Sequence, residues 1–187
     1  MKKIMAIVLF LICFFTIEGK DFDEFKFMKK VNPNITQRTM QIIKAQVDKN
    51  YHMVSGAVTK RQVYFIIAQE SRFNPNAISP NREDRGLFQV NRITYLHMVD
   101  KGILSSNNWS HIYDIEYNSR VGFKIIKMKA QKVRNMFKPE THKDWSLMTL
   151  IAYNKGAGNL KLDIERGRLD FHNFKYIQQL YRFKQYI

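Results

Sequence analysis

The sequence predicts an all-α fold, mainly helical, with no more than a small β-hairpin near residues 78–90, and three observations carry that prediction. Apolar residues recur at steps of three and four along several segments, which is the spacing of a helix with one buried face. Capping residues and Gly or Pro stops bracket those segments. Period-two runs that would mark half-buried strands are few, and the chain shows no internal repeat or low-complexity tract.

In chain order, Lys2 and Lys3 precede an apolar run from Ile4 to Ile17, followed by Glu18, Gly19 and Lys20, the layout of an export signal. The run's fourteen residues reach about 21 Å as a helix, short of the roughly 30 Å hydrocarbon core. A signal over residues 1–19, cleaved after Gly19, is therefore favoured; left uncleaved, the same run would be a membrane tether. Residues 20–35 are charged, aromatic and irregular, with Pro33 between two asparagines, and read as a linker to a domain over 36–187.

Met40, Ile43, Val47, Tyr51 and Val54 lie on one face of an amphipathic helix that Gly56 ends. Thr59 and Gln62 form a capping-box pattern opening the segment Val63 to Ser71, which is apolar almost all round and predicts a central, buried helix. Asn74-Pro75 stops it. A helix from Leu87 to Asp100, closed by Gly102, follows a polar stretch over 72–86. Next come a long helix from Ile115 to Val133 with Asp114 as N-cap, and a shorter one from Asp144 to Asn154 ending at Gly156-Ala157-Gly158. The tail from Phe174 to Tyr186 places Ile177, Leu180 and Tyr181 at helical spacing.

Cys13, the only cysteine, lies in the N-terminal run, so there is no disulfide framework, thiol nucleophile or Cys-based zinc site. His52, His97, His111, His142 and His172 are scattered without ligand spacing, and neither metal nor cofactor is expected. The 31 Lys and Arg against 16 Asp and Glu give a formal charge of +15, which suits a polyanionic partner. Charge alone would allow nucleic acid, but an exported chain meets cell-wall polymers instead, and no nucleic-acid motif is present. A monomer is expected.

Glu70 closes the most hydrophobic helix. Burial among Phe65, Ile66 and Ile67, with the partial negative charge of the helix end, disfavours its ionised form and raises its pKa. A carboxyl still protonated near neutral pH can donate its proton to a leaving glycosidic oxygen. A lone glutamate at a helix end is more often a solvated surface group, so the neighbouring residues decide.

Those neighbours resemble the lytic transglycosylases of the soluble-transglycosylase type, within the lysozyme-like superfamily. Residues 70–79, Glu-Ser-Arg-Phe-Asn-Pro-Asn-Ala-Ile-Ser, are similar to the family's E-S-x-x-N-P-x-A-x-S. Gly86-Leu87-Phe88-Gln89-Val90 resembles G-L-x-Q-[IVL], and Ala152-Tyr153-Asn154-Lys155-Gly156-Ala157-Gly158 resembles A-Y-N-A-G-x-G. Asp114 to Asn118, with Gly122, is a looser match to D-P-x-x-N-I-x-x-G.

The resemblance implies a lysozyme-like helical domain that cuts peptidoglycan glycan strands in the periplasm or cell envelope. Glu70 would be the sole acid and base, with Ser79 and Gln89 lining the cleft. Tyr153 would set its hydroxyl against the Glu70 carboxyl, and Asn154 would brace the same wall. Phe88, and Tyr176 in the tail, would offer aromatic faces to the glycan; aromatics at helical spacing are also commonly core.

The sequence departs from the pattern at Asn81-Arg82-Glu83-Asp84-Arg85, charged where the family loop is small and apolar. Asp84, two residues before Gly86, resembles the second carboxylate of animal-type lysozymes. A retaining hydrolase holds its two carboxyls about 5–5.5 Å apart, and Glu70 with Asp84 across a short hairpin would suit it. Transglycosylase, hydrolytic muramidase and a non-catalytic wall-binding protein on the same scaffold are the readings that remain, in that order.

Overall fold

The computed structural model of the chain describes residues 22–105, 108–168 and 174–186. The N-terminal apolar run with Cys13, the cleavage position after Gly19 and His172 lie outside the described residues. Among the described residues eight α-helices carry the fold: α1 Glu24–Val31, α2 Gln37–Asn50, α3 Lys60–Ser71, α4 Arg92–Asp100, α5 Ile115–Phe137, α6 His142–Lys155, α7 Ala157–Glu165 and α8 Lys175–Arg182. One antiparallel hairpin interrupts them, pairing β1 Asp84–Arg85 with β2 Val90–Asn91. The mainly helical class with a small hairpin is as the sequence predicts.

Helix α3 is the axis of the molecule. Its capping box forms as the sequence predicts: Thr59 Oγ1 accepts from Gln62 N–H, and Gln62 Oε1 accepts from Thr59 N–H. Each donor would otherwise be left unpaired at the helix start. Val63, Tyr64, Phe65, Ile66, Ile67 and Ala68 are all buried, so the helix is enclosed on every side. Ser71 ends it, and Arg72 and Phe73 then take left-handed backbone at φ 51° and 61°. Such backbone is uncommon for residues with a side chain, and the buried Phe73 ring, edge-on to Phe27 at 5.8 Å, holds the turn there.

Residues 24–31 correct the irregular linker expected over 20–35. They form helix α1, capped by Asp23, with Phe27, Met28 and Val31 in the core. Arg72 Nη2 donates to Val31 O at 2.6 Å and Asn32 Nδ2 donates to Arg72 O at 3.1 Å, tying α1 to the turn after Glu70. A helix of eight residues is weak in isolation, and tertiary burial decides its conformation.

Two further boundaries differ from expectation. Helix α4 starts at Arg92 rather than Leu87, because Asn91 caps it and the residues before it turn back as the hairpin. Residues after Gly156 form helix α7, which the glycines conceal; Gly156, at φ 86°, ends α6 and opens α7. Helix α5 runs to Phe137 with the expected Asp114 cap and packs on α2 and α6. The tail adopts its expected helix, α8, with Ile177 and Leu180 buried against α3 and α6.

The hairpin is clamped from beneath by Asn118 of α5, which is fully buried. Its Oδ1 accepts from Phe88 N–H at 2.8 Å, and its Nδ2 donates to Arg85 O at 3.1 Å and Ile112 O at 2.8 Å. Gly122, one turn on, lets Phe88 lie flat on α5; a Cβ there would fall 2.3 Å from Phe88 Cγ. The looser third motif therefore serves to seat the hairpin.

Candidate active site

A polar cleft of about 420 Å³ opens beside the end of α3. Glu70 comes from α3, Asn81, Glu83, Asp84 and Gln89 from the hairpin region, Asn91 and Thr94 from the start of α4, Ile125 and Lys129 from α5, and Tyr153, Asn154, Lys155 and Gly156 from the α6 end. Four separate segments thus converge on one carboxyl.

Glu70 is half-buried, and loss of water raises its pKa from the ordinary 4.5 to about 7. The Tyr176 hydroxyl, from the buried face of α8, donates to Glu70 Oε1 at 2.8 Å, a bond that favours the charged form and lowers the value in part. Asp84 across the cleft adds repulsion and raises it again. The balance leaves a carboxyl that is near half-protonated at neutral pH and fixed in direction, which is what a proton donor to an ether oxygen requires.

The sequence assigns the hydroxyl facing Glu70 to Tyr153, and this is corrected. Tyr153 lines the cleft, but its hydroxyl donates to Phe88 O at 2.8 Å, fastening α6 to the hairpin. Tyr176, expected as an aromatic wall, makes the bond to Glu70 instead, because α8 packs across α3. Burial raises both phenols well above their ordinary range, so both remain protonated donors.

Phe88 also departs from its expected place. It is completely buried against Gly122 and Phe123, with its ring 5.6 Å from Phe123, and presents no face to the cleft. Leu87 and Phe88 of the turn are both buried, and the left-handed backbone of Gln89 that follows turns its side chain to the cleft. Ser79 is absent from the lining residues; its hydroxyl accepts from Asp84 N–H at 2.9 Å and donates to Asn81 Oδ1 at 2.6 Å, shaping the loop.

Gln89 and Asn154 line the cleft as the sequence expects. Gln89 takes left-handed backbone at φ 45°, and its Nε2 donates to Gly86 O at 2.9 Å and Ala77 O at 3.1 Å. Those two bonds hold a conformation that costs about 1–3 kcal/mol for a residue with a side chain. Asp84 also faces the cleft, with Oδ1 accepting from Asn91 Nδ2 at 2.8 Å.

Asn91, Thr94, Ile125 and Lys129 also line the cleft. Asn91 follows the Gly86–Val90 motif directly and was open to detection; the α5 residues reach the cleft only through the packing of distant helices. Among the described residues no cluster of three His, Cys, Asp or Glu is placed to hold a metal ion, and no helix is long and apolar enough to cross a membrane.

Residues 40–170 match the sequence model of the Transglycosylase SLT domain family, a span that contains Glu70 and every lining residue of the cleft. No curated protein and no solved structure matches the chain.

Proposed function

The chain belongs to the Transglycosylase SLT domain family, peptidoglycan lytic transglycosylases that are lyases, and on that premise we propose that Glu70 is the single acid and base of the reaction. The bond cut is the β-1,4 link between N-acetylmuramic acid and N-acetylglucosamine. Glu70 gives its proton to the bridging oxygen as the bond to the muramyl C1 breaks. The substrate's N-acetyl oxygen stabilises the cationic carbon, and the Glu70 carboxylate then takes the proton of the muramyl 6-hydroxyl as that oxygen closes on C1. Water is not consumed, and the product carries a 1,6-anhydro end.

The observation carrying this reading is the Glu70 carboxyl itself, raised to about 7 and held at 2.8 Å by Tyr176 in a polar cleft. Gln89, Tyr153 and Asn154 supply polar contacts along the strand. Mass spectrometry of the digested wall tests the chemistry: anhydro-muropeptides are expected, and reducing ends would overturn it. Glu70→Gln should lose the ability to clear purified peptidoglycan, and equal clearing by both forms would overturn the assignment of Glu70 as the acid and base.

Asp84 favours a second reading, a hydrolytic muramidase, since it faces the same cleft and repels Glu70. The N-terminal run fits export of this domain, cleaved after Gly19, to the envelope where the polymer lies, with the chain acting as a monomer.

A further inference from the structure

The cleft presents three carboxylates, Glu70, Glu83 and Asp84, to a substrate that is itself acidic. Two lysines share the lining. Lys155 is ion-paired with Asp163 and lies 4.9 Å from the centre of the Phe174 ring, so its charge is already answered. Lys129 makes no ion pair among the described residues.

Lys129 stands one helical turn beyond Ile125 on the cleft face of α5 and is half-buried. A lysine that merely covers apolar surface carries its ammonium out to bulk water. Lys129 instead lines the cleft half-buried, where burial holds its pKa below the ordinary lysine range and the neighbouring Lys132 adds repulsion. A partly desolvated cation without a counter-charge is a standing cost that a ligand carboxylate would relieve.

Peptidoglycan offers that group in two places. Stem peptides carry free carboxylates, and a muramyl lactyl group bears one wherever its stem has been removed. We propose that Lys129 is a recognition residue that receives a carboxylate of the peptidoglycan strand bound in the cleft. The assignment rests on the cleft being the glycan-strand site.

The test measures strand binding to protein carrying Glu70→Gln, so that substrate is held uncut, with and without Lys129→Met. Three strands are compared: one with intact stems, one stripped of stems to expose lactyl carboxylates, and a stripped strand whose carboxylates are methyl-esterified. Loss of a charge-assisted bond should weaken binding about tenfold or more on a carboxylate-bearing strand. The esterified strand should change less than about twofold, and Lys129→Arg should keep most of the affinity.

A loss confined to the intact strand assigns the stem carboxylate, whereas a loss on the stripped strand assigns the lactyl group. Unchanged binding on both acidic strands, or an equal loss on the esterified one, overturns the proposal. Failure of the underlying reading is separately visible, because then the parent protein would cut none of these strands.

Discussion

Glu70 carries opposite consequences for activity and for stability. The unfolded chain ionises this carboxyl from about pH 4.5, while the folded one keeps its proton to about 7. Between those values the folded state binds more protons, so stability falls as pH rises and the penalty is complete above pH 7. Glu70→Gln removes it, and the variant should be more stable than the parent at pH 8 by about 1–3 kcal/mol, with the gap shrinking toward pH 5. Urea melts at the two pH values check this. Tyr176→Phe withdraws the bond that favours the carboxylate, so the alkaline limb of the rate profile should move to higher pH. Its kcat should fall about tenfold to a hundredfold as the acid loses its aim. Tyr153→Phe should leave that limb nearly in place, since its hydroxyl is bonded to Phe88 O instead.

At the scale of elements, the hairpin is as good as its seat. Asn118→Ala strips three hydrogen bonds from buried backbone groups beneath it and should cost about 2–4 kcal/mol, read as a drop in the urea midpoint. Activity should fall further than folding does, because Asp84 and Gln89 ride on the released strands. How much of this was legible follows from range. Local signals were sound: the Thr59–Gln62 box and the Asp114 cap each act within a few residues. The Leu87–Val90 stretch misled because its apolar residues suit a helix start as well as a buried hairpin. Helix α1 was hidden because its hydrophobic side becomes visible only once Phe65 and Phe73 are in place to cover it. The Glu70 carboxyl itself was legible, since the end of a uniformly apolar helix is a local fact, whereas the phenol bonded to it was not, lying 106 residues downstream.

The whole molecule depends on both of its distant segments. Phe27 packs against Phe65 at 5.4 Å, Phe73 at 5.8 Å and Phe183 at 6.0 Å, joining the first described helix, the central helix and the tail in one aromatic cluster. Phe27→Ala should cost about 3–5 kcal/mol, and a chain shortened to begin at Thr36 should lose its cooperative melt by circular dichroism. The charge of +15 acts over the same scale: wall clearing should slow as salt is raised from about 50 to 300 mM, because screening weakens attraction to the acidic polymer. The hydrogen bond between α8 and α3 has a consequence in time as well as in space. If Glu70 is the acid proposed above, a chain that has folded only its early helices lacks the Tyr176 bond that orients it, and competence waits on the docking of the tail.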